Sequence, residues 1–344
     1  MIKEAIQTLS DGNALKWPQM EEVMTEIMSD ETSSAQIGAF LMALKMKGEG
    51  EEEIIGGARG ILRKAVLIRT RRIDLVDLCG TGGDGCSTFN ISTVSAFVTA
   101  GAGVGVAKHG NRSVSSRCGS ADLLEALGID LELEPTRIAA GIDTIGFGFL
   151  FAPLFHPAMK HVMQPRIEIG VRTLFNIIGP LSNPLRVKRQ LLGVYSQEIL
   201  MPVCRALKSL GSERALIVHS QDGMDEISIS AITYGVLLLN GKISEVEINP
   251  EDYGLCFRPI KKIKAISLEE NVRIFNDVLN GIRGPEREVV LLNAGAAIFI
   301  SGIARDIQDG IDMARESIDS GRAWGKFKDY FEFAKRERDD IFRG

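Results

Sequence analysis

The strand-like run Ile73 to Leu78 leads directly into Gly80-Thr81-Gly82-Gly83-Asp84-Gly85, and nothing else in the chain restricts its fold as much. Glycine enters left-handed backbone conformations without penalty, and the missing Cβ lets backbone N–H groups close around an anion. Thr88, Asn90, Ser92 and Thr93 follow as hydroxyl and amide donors where a helix is expected from about Ser92. A helix N-terminus favours negative charge by ~0.3–1 kcal/mol even when exposed. Strand, glycine turn and helix in this order form the building unit of a parallel α/β sheet. The loop is not a dinucleotide fingerprint, since no acidic residue ends a suitable second strand, and it lacks the Lys-Ser/Thr of a P-loop. Taken alone, it fits an anion cradle and a plain capped turn equally well.

The texture of the chain extends this reading. From Arg71 onward, short apolar runs alternate with glycine-rich turns and helical stretches: IDLVDLCG, GVGVAKHG, then RALIVHS and EVVLLNAG. That alternation predicts an α/β domain whose central sheet is mostly parallel and flanked by helices. The first seventy residues are different. Met20, Val23, Met24, Ile27 and Met28 share one helical face, and Ile37, Phe40, Leu41 and Leu44 form a second stripe. Ser33 and Gln36 have capping-box spacing, Gly48 fits the end of that helix, and a third helix is expected from Glu51 to Ala65. Residues 164–185 are again helical in pattern and are expected to pack back on this bundle. The expected division is a helical domain over 1–70, completed by about 162–185, and an α/β catalytic domain over 71–344. Gly241 to Gly254 and Gly281 to Pro285 read as turns.

Bulk properties exclude several classes. The 344 residues carry a formal net charge of -5, so no global basic field exists to hold nucleic acid or an anionic membrane. A polyanionic substrate must then be gripped by local cations, helix N-termini or a metal. The five cysteines lack the close spacing of a zinc site and read as reduced thiols. The N-terminus has no apolar signal-peptide core, and GFGFLFAPLF is too short for a membrane span; a cytoplasmic protein is expected.

Three further segments carry chemistry. Lys108-His109-Gly110-Asn111-Arg112-Ser113-Val114-Ser115-Ser116 follows another strand-like run, with Gly119 and Ser120 opening a helix, and makes a second anion cradle. Charge-assisted hydrogen bonds of ~1.5–3 kcal/mol each suffice in number to hold a diphosphate. Asp222-Gly223-Met224-Asp225-Glu226 follows RALIVHS; its carboxylates suit a hard cation, a general base, or a solvated acidic turn. Finally, His156-Pro157-Ala158-Met159-Lys160 leads through Arg166 to Arg172-Thr173-Leu174-Phe175-Asn176 and Gly179-Pro180-Leu181. An arginine on a helix beside the cleft is suited to bidentate grip of a carboxylate. His156, His161 and His219, each a lone histidine, fit a structural role more readily than a catalytic one.

In this order, GTGGDG, TFNIST, KHGNRSVSSRCGSAD, HPAMK, RTLFNIIGPLSNP and DGMDE resemble the anthranilate phosphoribosyltransferase family over nearly the whole chain. The resemblance implies transfer of the phosphoribosyl group of phosphoribosyl diphosphate (PRPP) to the amine of anthranilate, in tryptophan biosynthesis, by a homodimer joined through the helical parts. It implies PRPP contacts at Gly80, Gly83, Asp84, Thr88, Asn90, Ile91, Ser92, Thr93, Lys108, His109, Gly110, Asn111, Arg112, Ser113, Ser115, Ser116 and Ser120. It implies Mg²⁺ at Ser92, Asp225 and Glu226. Anthranilate contacts are implied at Asn111 and Arg166, with Gly80, His109 and His156 in the same cleft. Ile167 stands where the family often has a second arginine, and RPIKKIKAIS replaces an expected glycine-containing segment, which bears on a surface loop. The alternatives are a pyrimidine nucleoside phosphorylase of the same architecture and a non-catalytic relative.

Overall fold

The computed structural model describes residues 1–113 and 118–335. Four helices open the chain: α1 (Ile2–Ser10), α2 (Trp17–Ile27), α3 (Ser34–Lys47) and α4 (Glu51–Arg63). The methionine-rich stripe of α2 is buried, and Gly56 and Gly60 of α4 face it, because a Cβ at either position would run into Met20 or Met24. Two glycines one turn apart thus let α2 and α4 pack closely. The expected capping box is present: Ser33 Oγ accepts from Gln36 N–H at 3.3 Å, and Gln36 Oε1 accepts from Ser33 N–H at 3.0 Å. Gly48 ends α3 with φ of 90°. Fully buried Glu53 ties the bundle together, accepting from the N–H groups of Leu15 and Gly50 and from Lys47 Nζ.

Alternation begins with β1 (Leu75–Gly80), α5 (Ile91–Gly101), β2 (Gly105–Gly110), α6 (Ser120–Ala126), α7 (Pro135–Ile145) and β3 (Phe147–Phe151). Short helices α8 (Ala152–Phe155), α9 (Lys160–Ile169) and α10 (Leu174–Ile178) follow, and α9 and α10 return to pack on α3 and α4. The chain then re-enters the sheet through β4 (Arg189–Gly193), α11 (Leu200–Ser209), β5 (Arg214–Ser220), β6 (Thr233–Leu239) and β7 (Lys242–Ile248). It finishes with α12 (Leu268–Leu279), α13 (Pro285–Ser301), α14 (Ile307–Asp319) and α15 (Arg322–Ala334).

The seven strands lie in the order β3-β2-β1-β4-β5-β6-β7; the first five are parallel, and β6 and β7 add as an antiparallel edge. This is the expected α/β class with a small helical domain. Connections run one way from β1 to β3 and the other way from β4, so the order reverses between β1 and β4. At such a switch point the loops diverge and open a crevice at the carboxyl ends of the strands. The glycine loop leaves β1 there. On the far side of the sheet, Phe97 of α5 stacks on Phe147 at 4.2 Å and meets Phe275 and Phe327 edge-on, which locks three helices to the edge strand β3.

Three expectations are corrected. Gly241 to Gly254 is not merely a turn, because it contains β7; this outermost strand carries Lys242, Glu245 and Glu247, and edge strands are kept polar to discourage pairing between molecules. EVVLLNAG belongs to helix α13, in which 13 of the 17 residues are buried. A helix enclosed on every side loses its polar face and with it the 3.6-residue period. Finally, β1 starts at Leu75, not Ile73, whose side chain is exposed.

Candidate active site

The crevice is built from the carboxyl ends of β1, β2, β4 and β5. After β1, Gly82, Gly83 and Gly85 take φ of 66°, 73° and 76°, and Ser87 follows at 55°. This run of left-handed backbone is why the loop needs glycine. Among the described residues, the N–H groups of Gly83, Asp84 and Gly85 make no hydrogen bond within the protein. The loop therefore presents unpaired donors at the mouth of the sheet, as an anion cradle requires.

The acidic loop after β5 reaches across to it. Gly82 N–H donates to Asp225 Oδ2 at 2.7 Å, and Asp225 N–H donates to Asp84 Oδ2 at 3.4 Å. A Cβ on Gly80 would meet Asp225 Oδ2 at 2.5 Å, and one on Gly193 at the end of β4 would overlap the Asp225 carbonyl oxygen. Glu226 Oε1 accepts from Ser92 N–H at 3.2 Å, in the first turn of α5. Burial, and then the charge of Asp84, raises the Asp225 carboxyl to about 7; burial, and then Asp225 itself, raises Glu226 to about 8.

Lys108 lies at the centre, 2% exposed. Its Nζ donates to Leu78 O at 2.6 Å and to Ser92 Oγ at 3.1 Å, which leaves one of its three donors for a ligand. Burial lowers its pKa against the opposing pull of Asp77. Asp77, fully buried in β1 and raised by burial to about 6, accepts from His109 N–H at 3.0 Å and from Asn183 Nδ2 at 2.9 Å. Asn183 also donates to Ala107 O, so Asp77 anchors the segment after α10 beneath the second cradle.

These residues can be tested against a hard divalent cation. Ser92 joins Glu226 and Lys108 by hydrogen bonds, and Asp225 is the neighbour of Glu226 on the same loop. The two carboxylates are costly to ionise side by side, and a cation would relieve that cost. Among the described residues no three His, Cys, Asp or Glu side chains form a metal cage. The donors thus fit an ion that keeps water and takes substrate phosphate oxygens, as Mg²⁺ does, and not a structural metal.

The histidine corner lies beside this cluster. The rings of His109 and His156 sit 5.2 Å apart at 60°, both buried. Burial drives His109 down to about 3 and His156 to about 4, so both are neutral near pH 7. Among the described residues, His109 Nε2 has no hydrogen-bond partner, while the His156 ring lies within reach of the Ser182 backbone. Arg166 on α9 lies 5.3 Å over the Phe175 ring, with no carboxylate paired to it among the described residues. A half-buried guanidinium above an aromatic face suits a planar aromatic acid.

The other expected contact residues are held mostly by partners within the protein. Arg112 is engaged by Glu125 and Asp122, at 2.6 and 3.1 Å. The Ile91 side chain is core, and its N–H turns back to Phe89 O. Thr93 is fully buried. Asn111 Oδ1 accepts from Arg112 N–H, while Asn111 O accepts from Ser120 Oγ. Ser113 N–H donates to Asp122. Gly110 ends β2, where a Cβ would strike Ser120 Oγ. Ser115 and Ser116 lie outside the described residues. Asn90, through its N–H and Nδ2, donates to Asn271 Oδ1 of α12, and Thr88 pairs with Lys264 across an antiparallel bridge. RPIKKIKAIS, expected to bear only on a surface loop, thus pairs with the glycine loop's own backbone: Phe89 N–H donates to Ile263 O, and Ala265 N–H to Ser87 O. His161 faces Asp30, and His219 Nδ1 lies 2.8 Å from Val194 O; neither joins the cluster around Lys108.

Residues that sequence reasoning missed include Asp77, Asn183, Asn271 and Gly193. A carboxylate inside the apolar strand LVDLCG was the one available signal.

A family model described as "Glycosyl transferase family, a/b domain" matches residues 72–324, and one described as "Glycosyl transferase family, helical bundle domain" matches residues 3–65. The anthranilate phosphoribosyltransferase of Clostridium kluyveri is 47% identical over 333 residues, covering 97% of this chain and 99% of its own length. Among solved structures, the anthranilate phosphoribosyltransferase of Thermus thermophilus matches with a TM-score of 0.91 at 42% identity, over 96% of this chain and 99% of that one. The Saccharomyces cerevisiae enzyme in complex with PRPP and Mg matches with a TM-score of 0.89 at 28% identity, over 97% of each chain.

Proposed function

The chain belongs to the anthranilate phosphoribosyltransferase family, and from that premise we propose how its crevice carries the reaction. The enzyme transfers the 5-phosphoribosyl group of PRPP to the amine of anthranilate, giving N-(5-phosphoribosyl)anthranilate and diphosphate, in tryptophan biosynthesis. The observation that carries the site assignment is the convergence of the glycine loop, Lys108 and the Asp225-Glu226 pair at the switch point of the sheet.

PRPP lies along the glycine loop and the first turn of α5. The N–H groups of Gly83 and Asp84, with Thr88, Asn90 and Ser92, receive its phosphates together with Lys108, Asn111, Arg112 and Ser120. Ser92, Asp225 and Glu226 would hold a Mg²⁺ ion, which would supply charge neutralisation to the diphosphate leaving group. Anthranilate enters from the side of α9, its carboxylate on Arg166 and Asn111 and its ring near His109, His156 and Gly80. The amine lone pair forms the N–C1 bond while the C1–O bond to diphosphate breaks with its electrons; the nitrogen then sheds one proton. An aryl amine attacks in its neutral form, so no strong base is required, and the neutral histidines serve to bind and to exclude water. Alignment supplies up to ~7–11 kcal/mol in favourable cases.

In this reading the helical domain (1–70, completed by 162–185) closes on the α/β domain (71–344). The enzyme works in the cytoplasm as a homodimer. Anthranilate fluorescence, followed with purified protein, PRPP and Mg²⁺, tests the reaction directly. Signal loss that requires PRPP and is abolished by EDTA supports the whole reading. Loss of signal that survives EDTA would remove the metal from it, and no loss at all would remove the substrates.

A further inference from the structure

Arg172 stands outside the residues assigned above. It sits on the exposed turn between α9 and α10, in the part of the chain that packs with the helical bundle, yet its Nη2 donates to the Gly83 carbonyl oxygen. Its guanidinium also covers the Tyr195 ring, 4.8 Å from the centroid. Tyr195 N–H donates to Thr81 Oγ1 at 3.1 Å, and Thr81 N–H donates to Gly193 O at 2.9 Å. One side chain from the helical side therefore touches the tip of the glycine loop and an aromatic ring fastened to the loop's base.

We infer that Arg172 is a positioning residue, a latch from the helical side that fixes the Gly83–Asp84 peptide for PRPP. The inference rests on reading the glycine loop as the PRPP cradle. Gly82 and Gly83 have no side chains to restrict them, so the peptide that follows is free to rotate unless an outside contact holds it. In a planar trans peptide the C=O and the next N–H point in opposite directions, and no described peptide bond is cis. Drawing the Gly83 carbonyl toward Arg172 thus turns the Asp84 N–H the other way, where it remains unpaired for an anion. Arginine suits this place because its planar fork donates to a carbonyl while its face lies on a ring; lysine offers the charge without the stacking. The latch also joins the segment that carries Arg166 to the loop that holds the other substrate.

The test is steady-state kinetics of R172A and R172K with each substrate varied, alongside thermal melting. R172A is expected to raise KM for PRPP about fivefold to tenfold, the loss expected for one solvent-exposed charge-assisted contact. KM for anthranilate should shift less than about twofold, with melting within about 2 °C of the wild type, since an exposed contact contributes little to folding. R172K should fall between the two, and added methylguanidinium should recover part of the PRPP affinity of R172A. An unchanged KM for PRPP overturns the latch, as does a joint rise of both KM values with lowered melting that methylguanidinium leaves unaltered. Should the wild type consume no anthranilate with PRPP, the substrate reading fails instead. Calorimetric titration of PRPP into wild type and R172A then decides the latch by itself.

Discussion

A methyl group at position 193 would land on the Asp225 carbonyl oxygen, and few single atoms in the chain bear so directly on the crevice. Gly193 ends β4, Gly80 ends β1, and the acidic loop lies over both. Gly193→Ala must therefore displace Asp225 and Glu226. Turnover should fall at least about tenfold, because misplacement by a fraction of an ångström is costly at a site that works by alignment. Circular dichroism should still report a folded chain; full activity in G193A would show that the acidic loop is not where the chemistry occurs. Arg166 poses a cleaner question of orientation. Arg166→Ala should raise KM for anthranilate about tenfold or more by removing a charged carboxylate contact, and leave KM for PRPP near its wild-type value. The reverse pattern would place the substrates the other way round. Residues of this kind differ in how far sequence reveals them. GTGGDG and KHGN concentrate several donors in a few consecutive positions, so their chemistry can be read locally. Asn183 meets Asp77 across 106 residues and Asn271 meets Asn90 across 181, and only the fold brings those pairs together.

Elements were legible where their surroundings are one-sided. The stripes of α2 and α3 face one core and water on the other side, and the capping box at Ser33 is a local hydrogen-bond pattern, so both followed from spacing. α13 and β7 deviate in opposite senses: α13 is enclosed and loses its polar face, while β7 at the edge keeps only a short apolar side, Val246 and Ile248, among charged neighbours. The far edge, β3, is secured by a helix distant in sequence. Tyr330 of α15 is buried against Phe97 and Phe147, and its hydroxyl accepts from Phe149 N–H at 3.2 Å. Tyr330→Phe keeps the ring and removes the acceptor, leaving a buried N–H unpaired at a cost of ~1–3 kcal/mol. Chemical denaturation should register that loss. Hydrogen exchange should show it first at the Phe149 amide; unchanged protection there would mean that packing alone holds β3.

Across the whole molecule, the buried titratable groups pull stability in opposite directions as pH changes. His109 and His156, held near 3 and 4, are neutral in the folded chain, whereas unfolded histidine takes a proton below ~6.5. They therefore weaken the fold as pH falls from about 6.5 toward 4. Asp77, Asp225 and Glu226, raised to about 6, 7 and 8, do the reverse: the folded chain keeps protons that the unfolded chain has released above ~4. Between about pH 4 and 6 the two sets largely offset one another. Above about 6.5 the histidines are neutral in both states; the Asp225-Glu226 pair then holds more protons in the folded chain, while Lys108, whose pKa burial lowers, holds them less tightly there. The carboxyl pair's share of stability therefore falls as pH rises, with Lys108 pulling against it. For a partly exposed pair the fall is about 1 kcal/mol between pH 6.5 and 8 in metal-free protein. A cation bound to the ionised pair reverses the sign of that penalty. Added Mg²⁺ should thus raise the melting temperature more at pH 8 than at pH 6.5, whether or not substrate is present. D225N should flatten both the metal-free decline and the Mg²⁺ response. If Mg²⁺ stabilises wild type and D225N alike at pH 8, the ion binds elsewhere, and the raised carboxyls are then better explained as a proton-holding pair than as a metal site.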